Sequence, residues 1–228
     1  MSSPGTRPLD AKDTDMTTRL DRIGPLAGVL AGVLGIAGFG TARPGPNTAS
    51  GGAAIIAYYS KHATGQKTAD FLLMLSGASF VVFAAFVRER LAERRSEPFA
   101  TASLAGAAVL AAGMGIYFGA DYTLAADPSH LSAAAAQALN ILGDDLYFGV
   151  AAGCLVFGLT AGIAALRSAA LPKWLGIVAI LIGVVGATPG TLGALFALFV
   201  WSIITGLVIW SRNREKVDQT ADGRLGTF

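Results

Sequence analysis

The side chains of this 228-residue chain best suited to chemistry are few: His62, His130, Asp70, Asp121, Asp127, Asp144 and Asp145. Imidazoles and carboxylates together can ligate a divalent metal or act as general acid and base. Antiparallel helices that end at Asp121 and begin at Asp144 and Asp145 would bring these carboxylates to one depth. The candidate constellation is therefore His62, Asp121, His130, Asp144 and Asp145. Two histidines are few for a catalytic zinc site. The aspartates also have a structural use: Asp144 or Asp145 can cap a helix and complement its dipole, and Asp127 can cap another. No Walker A sequence, Gly-x-Ser-x-Gly elbow, His-Glu-x-x-His or Cys-x-x-Cys occurs, and Arg43-Pro44-Gly45-Pro46 reads as a loop breaker. The single cysteine, Cys154, excludes a disulfide framework and a cysteine-ligated zinc cluster. It reads as a small apolar filler, and no cofactor or metal site is assigned.

The elements that must position these residues follow from composition. Of the chain, 53% is hydrophobic and 14% charged, against roughly 25% charged in a soluble domain. That excludes an ordinary soluble enzyme and a nucleic-acid binder. A net charge of +2 points to no electrostatic partner. Charge-free windows cover residues 23–42, 71–87, 98–120, 146–166 and 174–211. The last is nearly twice the roughly 20 residues of one crossing, and Thr188-Pro189-Gly190 near its middle supplies a turn. The expected fold is all-α: a six-helix transmembrane bundle with spans at about 23–42, 71–90, 99–120, 146–166, 172–187 and 191–211.

The basic residues test that count. With both termini cytoplasmic, the inner segments hold 14 of the 17 Lys and Arg residues, and only Arg43, Lys61 and Lys67 fall outside; cytoplasmic loops should carry this excess. Residues 1–21 and 212–228 read as cytoplasmic tails, the first a disordered one. Four aspartates before the first span, and an apolar run longer than the 7–15 residues of a signal core, argue against cleavage there. The run from Arg88 to Arg95, interleaved with Glu89 and Glu93, reads as a solvated inner extension of the second span that meets anionic headgroups.

Two outer segments are too long for plain loops, and each suggests a short amphipathic helix. In the first, Asn47 or Thr48 can cap a helix that puts Ile55, Tyr58, Tyr59 and His62 on one face, with the tyrosines at the membrane boundary. In the second, Asp127 caps and Pro128 opens a helix over 128–142. Leu131, Ala135, Ala138, Leu139 and Leu142 form its apolar stripe, with Gln137 and Asn140 off it. Gly143 could end this helix, or it could run on into the fourth span. Glycines spaced by four (Gly24, Gly28, Gly32; Gly115, Gly119; Gly149, Gly153; Gly158, Gly162) read as close packing between helices of the chain. The deep hydroxyls Ser76, Ser79, Thr160, Ser202 and Thr205 read as bonded to preceding carbonyls of their own helices. The absence of charge from the span centres weighs against proton pumps and voltage sensors.

The run Ala165-Leu166-Arg167-Ser168-Ala169-Ala170-Leu171-Pro172-Lys173-Trp174-Leu175-Gly176, with Ile56-Ala57-Tyr58-Tyr59 and the stretch Leu139 to Gly143, resembles a pattern in a family of actinobacterial six-span integral membrane proteins of unknown function. The resemblance implies a bacterial plasma-membrane protein and carries over no catalytic residue. The run also marks topology: Arg167 and Lys173 lie on the cytoplasmic side, Pro172 starts the fifth span and Trp174 sits at the interface. The leading expectation is a non-enzymatic accessory or interaction subunit, in contact with lipid and a membrane-protein partner. One alternative is a carrier or binder of a small, apolar or lipid-like molecule in a pocket at the outer face. Another is an outward-facing metal-dependent hydrolase built on the His and Asp constellation. A solid core favours the first, a polar cavity reaching mid-bilayer the second, and a tight site of one histidine with two aspartates the third.

Overall fold

The structure, a computed structural model, describes the backbone of residues 11–92, 96–168 and 170–225, and the side chains of 24–92, 96–168 and 170–214. Among the described residues every regular element is helical. The helices are α1 (Ala11–Thr41), α2 (Gly52–Leu91), α3 (Glu97–Ala126), α4 (Ala133–Asp145), α5 (Tyr147–Arg167), α6 (Lys173–Gly186) and α7 (Thr191–Leu225), with one 3-10 turn at Pro128–His130. Five stretches are long and apolar enough to cross a bilayer: Gly24–Thr41, α2, α3, the Ala133–Arg167 run and Thr191–Arg214. Helix α6, at 14 residues, is shorter. Residues 1–10 of the expected tail lie outside the described residues, and α1 and α7 extend as helix into both stretches read as tails.

The bundle closes on itself. Helix α1 packs between α2 and α7, α3 between α2 and α5, and α6 between α5 and α7. Its axis is filled by rings. Phe80 lies 4.8 Å from Phe157, Phe157 5.7 Å from Trp201, and Trp201 6.2 Å from Phe83, centroid to centroid. All four are buried, and Trp201 Nε1 donates to the Leu175 carbonyl at 3.0 Å. Large apolar side chains point outward as well, among them Val82, Ile116, Phe148 and Leu181. A bundle apolar on both sides of its helices suits lipid, where association depends on close packing and polar contacts.

Glycine supplies that packing at the crossings. A Cβ on Gly113 would lie 2.4 Å from Gly149 C, and one on Gly158 2.6 Å from Gly183 Cα. In α1, Gly24, Gly28 and Gly32 seat Phe86, Phe83 and Ile203. Cys154 is buried and fills the space beside Gly186. One expected stripe fails: Gly115 and Gly119 face open space, because α3 turns that side away from α2 and α5. The hydroxyls also divide. Ser79 and Thr160 bond their own helices, and Ser202 does so while also donating to Gly28 O at 3.0 Å. Ser76 instead donates across to Ala31 O at 2.6 Å, and Thr205 Oγ1 is buried without a partner. Two hydroxyls therefore clamp α1 to its neighbours.

The end of the bundle that the sequence reading assigns to the outside, hereafter the outer end, departs most from that reading. The first amphipathic helix and the second span are one helix, α2, of 40 residues. No proline interrupts 52–91, so nothing stops the helix where it leaves the apolar stretch. Its N-cap is Gly51, not Asn47 or Thr48; Asn47 instead accepts from Ser50 Oγ and, at its carbonyl, from Asn140 Nδ2. Asp127 does not cap the second outer helix either. The turn at Pro128–His130 intervenes, and Ser132 caps α4, accepting from Ala135 N at 3.2 Å. The buried face of α4 is Ala136, Asn140 and Gly143, while Leu142 points outward. The expected stripe holds in part: Leu131 and Leu139 are half-buried and pack on the cluster of Ile55, Tyr59, Leu124, Ala125 and Ala136, whereas Ala138 and Leu142 are exposed. Helices α4 and α5 are separated only at Leu146, so Gly143 ends nothing.

Candidate functional site

Because α2 continues outward, its residues at helical spacing form one face that combines oil and polarity. Ile55 and Tyr59 pack with Leu124, Ala125 and Ala136 into a small outer core. Gly52 there abuts the Ala133 backbone, where a Cβ would come within 1.8 Å of the carbonyl oxygen. Eleven residues, three turns, separate Tyr59 from Asp70, so Tyr59, Gln66 and Asp70 share a face. All three are buried.

Tyr59 donates its hydroxyl proton to Asp121 Oδ1 at 3.0 Å. This phenol belongs to the outer core, not to a lipid boundary. Gln66 Nε2 donates to Asp70 Oδ1 at 3.2 Å. Asp70 Oδ2 is buried with no partner. The carboxyl groups of Asp70 and Asp121 are close enough to feel each other's charge. A buried acceptor without a donor costs free energy, more so when charged. Sequence reading missed Gln66 and the burial of Asp70. The signal was the continuation of the Ile55–Tyr59 face by two further polar side chains.

The residues expected to gather into one constellation are spread over separate places. His62 lies on the other flank of α2, its Nδ1 2.9 Å from Tyr58 O and its ring 4.5 Å from that of Tyr58. His130 pairs with Asp127 Oδ2 at 2.6 Å in the exposed turn. Hydrogen bonds from His130, then from Ser129, hold Asp127 below the ordinary carboxylate range. Asp144 and Asp145 end α4 and are exposed. Partial loss of solvent, then the neighbouring Asp145, pushes Asp144 up. Of the five candidates only Asp121 and Asp144 are electrostatically coupled across helices. Among the described residues no three His, Cys, Asp or Glu side chains come together as a possible metal site.

Beside His62 the outer end of α1 and the outer half of α2 enclose a hollow of about 240 Å³. Its wall includes Thr41, Arg43, Ser60, Lys61, His62 and Gln66. Tyr58 donates its hydroxyl proton to Arg43 O at 3.2 Å, which ties the loop after α1 to α2. Gln66 thus faces this hollow and also holds Asp70. No protein-family model, curated protein or solved structure matches this chain.

Proposed function

We propose that this chain is a six-span bacterial plasma-membrane protein that works as a non-enzymatic accessory subunit, engaging a second membrane protein through its lipid-facing surface. One observation carries the reading. The bundle axis is plugged by Phe80, Phe83, Phe157 and Trp201, and flanking helices meet backbone to backbone at Gly113–Gly149 and Gly158–Gly183. Such packing supports a scaffold more than a carrier, whose substrate site is typically built near the bilayer midplane from broken helices. The absence of charge between Phe71 and Val87 and between Pro98 and Ala120 agrees, since ion-coupled carriers use intramembrane ionisable groups.

A photo-crosslinking residue placed singly at Leu30, Val82, Ile116, Leu181 and Leu207, all exposed apolar positions, tests the reading in native membranes. A partner yields an adduct of one discrete mass from positions on one side of the bundle. Adducts with lipid alone at every position would sink the reading.

A further inference from the structure

We propose that the hollow between the outer end of α1 and the outer half of α2 binds a phosphoryl anion, gripped by Arg43 and Lys61. The charge lining this hollow is one-sided. Arg43, Lys61 and His62 contribute to its wall, with the hydroxyls of Ser60 and Thr64 and the amide of Gln66, and no carboxylate lines it. The two outer segments have the opposite balance: residues 43–70 and 121–145 hold five aspartates, of which Asp70 is buried and Asp121 half-buried, against Arg43, Lys61 and Lys67. Two of those three bases are thus gathered at one concave place in an otherwise acidic cap. Among the described residues neither Arg43 nor Lys61 has a carboxylate within ion-pair distance.

The wall is also held in shape. The Tyr58 hydroxyl bonds the Arg43 carbonyl, and the Tyr58 carbonyl is 2.9 Å from His62 Nδ1. With Nδ1 donating there, Nε2 of that tautomer is an acceptor, which can take the proton of a P–OH group, while the donors to the anionic oxygens are Arg43 and Lys61. A guanidinium and an ammonium around one concavity suit a tetrahedral, multiply charged oxyanion, the first by paired N–H donors and the second as a point charge. The volume is below the roughly 300–1,000 Å³ of pockets for drug-sized ligands, which fits a headgroup or an inorganic ion.

Depth fits too. At about 1.5 Å per residue, Gln66 lies roughly 6 Å and Lys61 roughly 13 Å along α2 beyond Asp70, where the charge-free stretch ends. Headgroups extend about 5–8 Å past the hydrocarbon on each side. Gln66 thus lies at headgroup depth and Lys61 on its aqueous side, so the hollow opens to a lipid phosphate from below and to a free anion from above.

The test uses the full chain in an uncharged detergent. Its thermal midpoint is followed while inorganic phosphate or short-chain phosphatidylglycerol is added, for the wild type, Arg43→Gln/Lys61→Gln and Lys67→Gln. The control removes the same kind of charge from a residue outside the hollow. The expected result is saturable stabilisation by at least one probe, weakened roughly tenfold or more in the double variant and little changed in Lys67→Gln. Phosphate acting alone identifies a free anion, and phosphatidylglycerol acting alone a headgroup. If the double variant does not fold, the two single variants carry the comparison. No saturable response to either probe, equal binding by the double variant, or an equal loss in Lys67→Gln would overturn the site.

Discussion

Asp70 poses the sharpest question at the scale of the residue. It is fully buried, takes one hydrogen bond from Gln66 and leaves Oδ2 without a donor. Asp70→Asn keeps the shape and an acceptor for Gln66 while replacing an acid whose ionised form burial disfavours. We expect it to stabilise the fold at neutral pH by about 1–3 kcal/mol, read as a raised thermal midpoint in detergent. A lowered midpoint would mean that the carboxyl is satisfied in some other way. Tyr59→Phe acts in the opposite direction. It removes the hydroxyl that donates to Asp121 at 3.0 Å, a hydrogen bond to a charged acceptor worth about 1.5–3 kcal/mol, so its midpoint should fall. In the exposed turn, Asp127 is held low by His130 and Ser129. Its contribution is present above the ordinary carboxylate value and lost as pH falls through the depressed one. The protection of the His130 and Leu131 amides, which bond Asp127 O and Pro128 O, taken relative to free peptide at the same pH, should therefore fall only in strong acid, and a fall already at neutral pH would contradict the pairing. The sequence displayed Asp121, His130 and Asp144 as chemistry-bearing, but not Asp70 as buried. Burial depends on which face of a 40-residue helix meets α3, and hydropathy records only where charge stops.

Elements were legible wherever the argument rested on missing charge, and illegible wherever it rested on which side faced a neighbour. Charge-free runs and the Thr188-Pro189-Gly190 breaker located the long helices and the turn between α6 and α7; in that turn Thr188 Oγ1 donates to Val185 O and accepts from Gly190 N. The glycine repeats were harder, because in lipid a smooth stripe can face a helix or nothing. Gly158 and Gly119 separate the two cases. A side chain on Gly158 would strike the α6 backbone, with Ala179 O and Gly183 Cα both 2.6 Å from its Cβ, whereas Gly119 has nothing within 4 Å. Backbone cannot swing aside as a flexible side chain can, so Gly158→Leu must part α5 from α6. A loss of about 1–3 kcal/mol or more is expected, against within about 0.5 kcal/mol for Gly119→Leu. Thermal midpoints of the two variants, measured side by side, decide it; equal midpoints would mean that α5 and α6 do not meet at this crossing.

At the scale of the whole molecule, the proposal of six crossings turns on α6, the short apolar helix. Its 14 residues rise about 21 Å, short of a hydrocarbon core of about 30 Å. Its contacts fix how far it reaches. Gly176 meets Gly162 near the inner end of α5, and Gly186 meets Cys154, seven residues after α5 begins at Tyr147. Seven residues are about 10 Å of helix, so α6 stops about that far short of the start of α5. Helix α7 then sets out from Thr191, and Phe196 packs 6.1 Å from Phe39, two residues before the end of α1. The turn between α6 and α7 therefore lies close to the outer end of α1. A short hairpin there can be met by local thinning of the bilayer, at fractions of a kcal/mol per Å of mismatch. The reading of six crossings then makes a clean demand on labelling. Cys154, the only cysteine, is fully buried, so single cysteines introduced elsewhere report on a quiet background. Thr188→Cys and Ser129→Cys should react with a membrane-impermeant maleimide applied outside intact cells. Lys173→Cys and Asn213→Cys should react only after permeabilisation, since 14 of the 17 bases lie in the segments assigned to the cytoplasm. If the α6–α7 hairpin stopped short of the outer surface, Thr188→Cys would stay unlabelled in intact cells while Lys173→Cys and Asn213→Cys, held at one end of the bundle by the Arg212 bond to the Ala170 carbonyl at 3.0 Å, behaved as before.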